Sequence, residues 1–400
     1  MQRSEGRRPL IPVTTTHLCL VSGQPIPNLV AALESVPRPR RVVLLVSERM
    51  QAEARRLVGV LGRYQIQCAL WPDPAPAFDL PAMRAQVAAA VAQIKARGEI
   101  PVLNITGGTK IMTLAAHEVF RDKGHPILYV DTENGCIQDL AQPGSRRPFS
   151  GFLKITDYLA AYGLIHPTIA SADRAFLEHA WQRREVTAAW AELARRLRGQ
   201  LGLLNRALEP LDERCRPSNP PRGPFDVALP APPKPVLLDL LGRLSAAGII
   251  GWKRGARFTV PSCDHLRYLH GGWLEEYVFH CAQNIDPQDA ACSVQVVWDA
   301  VGREPVRNEF DVVLLHHNRL FLIECKTGAQ GRDGQRDTGI IYKLDHLKEA
   351  AGGLYARGML VSARPITRAQ QQRLDANRLR GIGPADLPHL AQHLREWIHA

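Results

Sequence analysis

The first 140 residues alternate short apolar runs with amphipathic stretches, and the connections between them are short. The apolar runs predict five strands, and the amphipathic stretches between them predict helices. Strands that alternate with helices form a doubly wound, mostly parallel sheet, so an α/β fold is expected here. The predicted strands are His17–Ser22, Arg41–Val46, Ile66–Leu70, Pro101–Ile105 and Ile127–Val130.

A second α/β pattern lies in the last third of the chain and centres on two continuous apolar runs. Val312–Leu315 and Leu320–Ile323 contain no polar residue, as expected for strands buried on both faces. The four residues His316–Arg319 lie between them, which is a common length for a hairpin loop. These two runs therefore predict a buried β-hairpin.

Charged residues stand at the ends of this hairpin. Asp311 is predicted to open the first strand, and Glu324 and Lys326 to close the second. Side chains alternate along a strand, so Glu324 and Lys326 share one face, and the hairpin returns Asp311 to their side. Two carboxylates are suited to Mg²⁺ or Mn²⁺, which polarises a phosphodiester and activates water. The alternative is a strand-end ion pair of Glu324 with Lys326, but the position of Asp311 favours a metal-dependent nuclease.

The middle of the chain predicts helices, a proline-rich stretch and a small module. Pro210–Pro235 contains nine prolines in 26 residues, which predicts a linker or an irregular loop. A helix at Pro235–Ala247 and a hairpin of Ile249–Lys253 with Arg257–Val260 are similar to a winged helix, which would bind phosphates or act only as an adaptor. The helical segment that precedes them carries an apolar stripe, which would form either a dimer seam or packing within one domain. The residues of the stripe are Trp190, Leu193, Leu197, Leu201, Leu204 and Leu208.

Composition narrows the class of protein. A chain of 400 residues with 45% apolar and 22% charged residues indicates a soluble protein of several domains. The net charge of +11 favours an anionic partner such as nucleic acid. Eight cysteines without a C-x-x-C pair argue against a zinc ribbon and fit a reducing compartment. Met1–Leu10 lacks a signal-peptide pattern and no long apolar window occurs, so we expect a cytoplasmic protein without a membrane span.

A glycine-rich turn, Thr106–Lys110, follows the fourth predicted strand and precedes a helix. Glycines let a backbone approach a phosphate, a helix N-terminus supplies N–H donors, and Lys110 supplies positive charge. Doubly wound sheets bind ligands at the carboxyl ends of their strands. Ser22, Gln24 and Ser47 lie at other such ends, although each would also serve as a helix cap. The turn matches neither a P-loop nor a dinucleotide-binding fingerprint.

Together with the downstream nuclease pattern, residues 18–140 resemble the CARF sensor domain of CRISPR-associated effectors. The resemblance rests on the segment Asn104–Lys110 and on the order of strands and helices. It implies a homodimer that binds a cyclic oligoadenylate, with cyclic tetra-adenylate as the expected ring, across its two-fold axis. The ligand contacts that it implies are Thr106, Gly107, Gly108, Thr109 and Lys110, together with Ser22, Gln24 and Ser47.

Asp311 followed by Glu324-x-Lys326 resembles the core of the PD-(D/E)XK nuclease superfamily, although no proline precedes the aspartate. Members often carry a further acid on the preceding helix, in a Gly-x-x-apolar-Glu pattern that Glu275 satisfies. Its neighbour Glu276 is expected to be a solvated helix charge. The resemblance implies that Asp311 and Glu324 ligate Mn²⁺ or Mg²⁺, that Glu275 assists them, and that Lys326 positions the attacking water.

The predicted organisation is a Rossmann-like CARF domain (residues 1–160), a helical and winged-helix-like middle (161–265) and a restriction-endonuclease-like α/β domain (266–400). The predicted function is a metal-dependent nuclease of type III CRISPR defence that a cyclic oligoadenylate activates by allostery, with DNA or RNA as substrate. Two alternatives stay open. A constitutive repair or restriction nuclease would cut with metal alone, whereas a winged-helix regulator with an inactive nuclease fold would keep its function after Glu324→Ala or Lys326→Ala.

Overall fold

The chain divides into two units of structure, which we describe separately. The N-terminal unit contains the residues up to Leu153 and Asp157–Gly163, and the C-terminal unit contains Lys154–Thr156 and the residues from Leu164 onward. The structure is a computed structural model that describes residues 14–142, 144–197, 199–216, 219–298, 306–328 and 334–399, with side chains at all of these except 166 and 334–338.

A sheet of seven strands forms the N-terminal unit. The strands are β1 (Thr15–Leu20), β2 (Arg41–Leu45), β3 (Gln67–Leu70), β4 (Ile100–Asn104), β5 (Ile127–Asp131), β6 (Cys136–Asp139) and β7 (Arg146–Pro148). Their order is β3-β2-β1-β4-β5-β6-β7, and the first five strands of this order run parallel to one another. All five predicted strands are confirmed. The antiparallel pair β6 and β7 was not predicted, because both strands are short and polar.

Helices cover both faces of this sheet. They are α1 (Ile26–Leu33), α2 (Gln51–Arg63), α3 (Leu80–Ala96), α4 (Lys110–Asp122) and, at the boundary between the units, α5 (Ile155–Ala161). Asp79 caps α3 by accepting the N–H of Ala82 at 3.0 Å. β1 lies between β2 and β4, so the direction of winding reverses beside it. Sheets of this type open a crevice at such a reversal, at the carboxyl ends of the strands.

The C-terminal unit contains a sheet of six strands in the order β15-β14-β13-β12-β11-β8 and a two-stranded sheet of β9 and β10. The strands are β8 (Leu164–Ile169), β9 (Phe225–Ala228), β10 (Arg257–Val260), β11 (Asp289–Trp298), β12 (Arg307–His316), β13 (Arg319–Lys326), β14 (Arg357–Ser362) and β15 (Leu379–Ile382). The helices are α6 (Arg174–Leu197), α7 (Gly199–Cys215), α8 (Pro235–Ala246), α9 (Cys263–Arg267), α10 (Trp273–Gln283), α11 (Gly334–Gly352), α12 (Arg368–Ala376) and α13 (Leu390–His399).

The predicted hairpin is present as β12 and β13, but its turn is shorter than expected. His316 pairs with Arg319, and the two residues between them, His317 and Asn318, both have positive φ, as in a type I′ turn. The expectation that Asp311 opens its strand was wrong. β12 begins four residues earlier, because the polar stretch before Asp311 pairs with β11.

The apolar stripe of α6 and α7 packs inside the C-terminal unit, so the intradomain alternative is correct and the dimer seam is wrong. All six stripe residues are buried in the main core of this unit. Trp190 of α6 stacks on Trp273 of α10 with ring centroids 4.7 Å apart. This helical layer therefore supports the helix that carries Glu275.

The proline-rich stretch is not a linker. Pro210 lies inside α7, and β9 pairs with β10 along its full length. The predicted hairpin of Ile249–Lys253 with β10 is reduced to one bridge, between Gly251 and Thr259. β9 itself contains no proline, and its buried and exposed residues alternate as in an ordinary strand. The strand therefore forms although the composition of the surrounding segment suggests irregular structure.

One covalent link was not predicted. Cys215 at the end of α7 and Cys263 at the start of α9 form a disulfide, with Cα atoms 5.6 Å apart and a sequence separation of 48. No helix in the described parts of the chain has the length and apolar character that a bilayer span requires.

Candidate active site

A cavity of about 540 Å³ lies at the carboxyl ends of β1, β2 and β4 in the N-terminal unit. Four of the eight residues that we predicted as ligand contacts line it: Ser22, Ser47, Gly108 and Thr109. Arg49 and Phe78 also line it, and Phe78 is 81% exposed. Sequence reasoning missed these two, although Arg49 follows Ser47 closely at a strand end and a basic residue there suits a phosphate.

The glycine turn after β4 fits against β1. A Cβ atom on Gly107 would lie 2.1 Å from the carbonyl oxygen of Leu20, so only glycine fits there. Gly108 has a φ of +82°, which glycine adopts without strain. Thr109 caps α4 by accepting the N–H of Met112 at 3.2 Å, and it donates to the carbonyl of Ala77 at 2.6 Å. The turn is thus fixed to both β1 and the loop before α3.

The other predicted contacts lie outside the lining of the cavity. The hydroxyl of Thr106 donates to Asn104 and accepts the N–H of Val130, both at 2.8 Å, so it joins β4 to β5. Gln24 accepts a hydrogen bond from the Tyr162 hydroxyl at 2.9 Å. Lys110 is exposed at the first position of α4. Gly107 serves packing, as described above.

In the C-terminal unit the hairpin brings Asp311, Glu324 and Lys326 together. The Nζ of Lys326 lies 2.6 Å from Glu324 Oε1 and 4.0 Å from Asp311 Oδ2. The backbone N–H of Cys325 donates to Asp311 Oδ2 at 2.6 Å, which fixes that carboxyl group. Val312 pairs with Ile323, so Asp311 before Val312 and Glu324 after Ile323 lie at the same end of the hairpin. The two acids therefore lie near each other on neighbouring strands.

Glu275 of α10 points to the same end of the sheet. Ser293 of β11 donates to Glu275 Oε2 at 3.0 Å. Ser293 has a positive φ of 49° and falls between Cys292 and Val294, which pair with β12 on either side of Asp311. Burial raises the pKa of Glu275 to about 7, against the effect of the Ser293 hydrogen bond. Ser293 was missed because a lone serine on a strand carries no sequence signal.

The cluster contains more negative than positive charge. Burial raises the pKa of Asp311 well above its usual range, and the carboxylates of Glu324 and Glu275 raise it further. Burial works to lower the pKa of Lys326, but Glu324 and Asp311 outweigh it, so this pKa is raised and the ammonium persists. Three crowded carboxyl groups with a single ammonium form a site that an added cation stabilises.

Asp311 and Glu324 are the carboxylates that could hold a divalent ion. Among the described residues, no three acidic, imidazole or thiol groups surround one point as a complete ligand set. Mg²⁺ is commonly bound through one or two carboxylates, with water and substrate oxygens as its other ligands. The residues present therefore fit an ion of that kind.

Glu276 is not a solvated charge, so that prediction was wrong. It is 4% exposed, and its carboxylate accepts a hydrogen bond from Arg183 Nε at 3.2 Å. Burial raises its pKa, and Arg183 opposes this shift. The reason is that α6 packs on this face of α10, which periodicity in α10 alone does not reveal.

Arg364 is a further cation at this end of the sheet. It follows β14, whose Ser362 pairs with Lys326, and its Nε donates to the carbonyl of Thr327 at 3.3 Å. Burial lowers its pKa, and the nearby Arg206 lowers it further. Neither arginine lies in a sequence motif, and the two meet only through the fold.

Models of two known domain families match parts of the chain. The model of the Card1 CARF domain matches residues 16–158, and that of the Card1-like endonuclease domain matches residues 263–400. Among curated proteins, none matches the chain in sequence.

Two solved structures are similar over nearly the whole chain. Protein VC1899 from Vibrio cholerae is 27% identical, with 96% of this chain and 98% of that chain covered and a TM-score of 0.83. Can2 from Sulfobacillus thermosulfidooxidans, solved in complex with cyclic tetra-adenylate, is 26% identical, with coverages of 97% and 98% and a TM-score of 0.76. The chain therefore belongs to the Card1-type CRISPR nucleases, with a CARF domain followed by an endonuclease domain.

Proposed function

We propose that the protein is a metal-dependent PD-(D/E)XK-type nuclease of type III CRISPR defence, which cuts DNA or RNA when a cyclic oligoadenylate binds its CARF domain. The observation that carries this proposal is the convergence of Asp311, Glu324 and Lys326 within the matched endonuclease domain. The cavity at the strand ends of the CARF domain supports the activating ligand.

At the nuclease site, Asp311 and Glu324 would hold Mn²⁺ or Mg²⁺. The ion supplies charge neutralisation at the phosphodiester and a more acidic bound water. Lys326 remains protonated between the two acids, so it is placed to hold the attacking water or to stabilise the charge that develops on the phosphate. The Cys325 N–H fixes the orientation of Asp311, and Ser293 fixes that of Glu275.

At the CARF site, cyclic tetra-adenylate is the activator that we propose, since the similar Can2 was solved with it. Ser22, Ser47, Gly108 and Thr109 line the cavity, and Lys110 stands at the start of α4. A ring with two-fold symmetry fits two facing copies of the chain, because each copy offers it the same surface. The proposal therefore includes a homodimer whose subunits can adopt two arrangements. The ring binds one arrangement more tightly than the other, and the arrangement that it favours is the one with nuclease activity.

The decisive experiment is a cleavage assay on supercoiled plasmid, single-stranded DNA and RNA, with Mn²⁺ or Mg²⁺ and with or without each cyclic oligoadenylate. We expect cleavage only when both metal and ring are present. Glu324→Gln and Lys326→Ala should abolish cleavage and leave ring affinity unchanged. Equal cleavage with metal alone would instead identify a constitutive nuclease.

The ligand site is tested by a matched pair on one helix. Lys110→Ala should weaken ring binding in calorimetry about tenfold, since it removes a cation beside the phosphates. Lys123→Ala, at the other end of α4, is also exposed and should bind the ring as the wild type does. Light scattering should report a dimer, and a monomer with bound ring would contradict the two-copy site.

A further inference from the structure

A second cavity, of about 340 Å³, lies in the N-terminal unit away from the activator site. It is formed near the amino ends of β1 and β4, whereas the activator cavity lies at their carboxyl ends. Val102, Leu128 and Ile137 form its apolar floor across β4, β5 and β6. The residues 35–37, which follow the end of α1, also line it.

Two buried polar atoms in this cavity have no hydrogen-bond partner among the residues that the structure describes. They are Nδ1 of His17 and Oγ1 of Thr15, which alternate along β1 and therefore share the face that lines the cavity. His17 is only 2% exposed. Buried polar groups in native structures are nearly always paired, so two neighbouring exceptions in one cavity indicate that a ligand or water completes them.

The rim of the cavity is cationic. Arg146 and Arg147 of β7 line it, and among the described residues neither has an ion-pair partner within 4.0 Å. The guanidinium group of each arginine is planar and can donate two parallel hydrogen bonds to a phosphate. Asp139 lines the same wall, and its Oδ1 accepts the N–H of Ala141 at 3.0 Å. A carboxylate beside a phosphate site is suited to accept hydrogen bonds from ribose hydroxyls.

We propose that this cavity is a second ligand site of the CARF domain, which binds a nucleoside monophosphate. The base would lie on the apolar floor, with its polar edge on Thr15 and His17, and the phosphate would lie on Arg146 and Arg147. The volume is near the lower end of the roughly 300–1,000 Å³ of small-molecule sites, so it suits one nucleotide rather than a ring of several. The inference does not depend on the proposed activation by a cyclic oligoadenylate.

The test is calorimetric titration of the full-length protein with AMP, GMP, CMP and UMP. Adenosine and inorganic phosphate, each alone, serve as separate arms. We expect at least one mononucleotide to bind at least tenfold more tightly than adenosine or phosphate. The double variant Arg146→Ala/Arg147→Ala should lose at least tenfold in this affinity.

Three controls locate the binding. Arg97→Ala/Lys123→Ala removes two exposed cations elsewhere in the same unit and should bind as the wild type does. His17→Phe keeps the ring volume but removes the polar atom, so it should weaken binding while its melting temperature reports on folding. Lys110→Ala should leave the mononucleotide affinity unchanged, because that residue begins α4 next to Thr109, which lines the activator cavity and not this one.

Two outcomes with the wild type and the double variant would overturn the proposal, and a third with Lys110→Ala would do so as well. One is that none of the four mononucleotides saturates the protein below about 1 mM. The other is that the variant lacking Arg146 and Arg147 binds as tightly as the wild type. If Lys110→Ala abolishes mononucleotide binding instead, the ligand occupies the activator cavity and the second site is wrong.

Discussion

Asp311 serves two opposed requirements at the scale of a single residue. As the metal ligand that we propose, it has to be a carboxylate, yet it is largely buried next to two other carboxyl groups. Burial and like charge both disfavour its ionised form, so the site reduces the stability of the unit that contains it. Active sites commonly exchange stability for function in this way.

Asp311→Asn should therefore separate stability from activity. The amide keeps an oxygen for the Cys325 N–H but removes a charge from the cluster, so we expect a melting temperature that is unchanged or a few degrees higher. Metal-dependent cleavage should fall by at least about 100-fold. Asp375→Asn, an exposed change in the same unit, should alter neither value, and a large loss of stability in Asp311→Asn would contradict this account.

His17 makes the stability of the N-terminal unit depend on pH. Burial lowers its pKa from 6.5 to about 4 in the folded state. As the pH falls, the unfolded chain protonates His17 near pH 6.5, whereas the folded protein does so only near pH 4. The stabilising contribution of neutral His17 is therefore complete above about pH 6.5 and is lost as the pH falls toward 4. The full loss in the free energy of unfolding is about 3 kcal/mol.

Hydrogen exchange of β1 peptides in wild type and His17→Gln is the measurement. Protection of β1 in the wild type should weaken between pH 6.5 and 4, and the variant should show a shallower dependence. A local probe is needed because His316 in the other unit also has a pKa lowered to about 4 by burial. Identical pH profiles for the two proteins would show that His17 is not the cause.

The convergence of Asp311, Glu324 and Lys326 could be predicted because their arrangement is mostly local. Strand alternation places Glu324 and Lys326 on one face, and a hairpin returns Asp311 to them. Glu276 could not be predicted, since its partner Arg183 is 93 residues away. A helix charge is predicted to be solvated unless the helix that packs over it is known.

At the scale of elements, the β4–α4 turn shows how the backbone constrains the ligand site. The turn approaches β1 so closely that a side chain at Gly107 would overlap the carbonyl of Leu20. The two adjacent glycines suggest contact with a phosphate, but only Gly108 lines the cavity. Gly107 thus contributes indirectly, by setting the height of the turn above the sheet.

Gly107→Ala should destabilise the N-terminal unit by about 2 kcal/mol or more, because the methyl group meets backbone that cannot move aside. Ring affinity should fall with it. Gly23→Ala is the matched control, since Gly23 lines the same cavity and a Cβ there meets nothing within 4 Å. Denaturation followed by circular dichroism checks both, and equal stability of the two variants would contradict the packing role of Gly107.

Elements with strong hydrophobic signals were the predictable ones. The continuous runs of β1, β2, β12 and β13 lie where expected, whereas β9 lies hidden among prolines and β6 and β7 are short and polar. β6 and β7 pair with strands next to them in sequence and were missed only because they are short and polar, whereas the partner of β9 is not local. β9 pairs with β10 across about 30 intervening residues, and such pairing is decided by tertiary context.

At the scale of the whole molecule, the endonuclease domain is larger than the segment that the family model matches. β8 pairs with β11 at the edge of the six-stranded sheet, although it precedes the matched residues 263–400. The same is true of α6 and α7, whose apolar stripe shares one core with α10. The predicted boundary between a middle module and a nuclease domain therefore crosses a continuous core.

A fragment of residues 263–400 should accordingly fail to fold, because it loses an edge strand and exposes Trp273 and Leu274, both fully buried in the complete unit. A fragment of residues 164–400 retains these contacts and should melt cooperatively. Calorimetry and proteolysis of the two purified fragments provide the measurement. Cooperative melting of the shorter fragment would show that the helical layer is dispensable.

The disulfide between Cys215 and Cys263 has a consequence for how the chain responds to a protease. The segment between these residues forms a covalently closed loop, so one nick within it leaves both polypeptides attached. Nicked and intact protein should therefore migrate as species of the same mass on a non-reducing gel. Addition of dithiothreitol should release two fragments, and this simple comparison reports whether the bond is present in protein taken directly from cells.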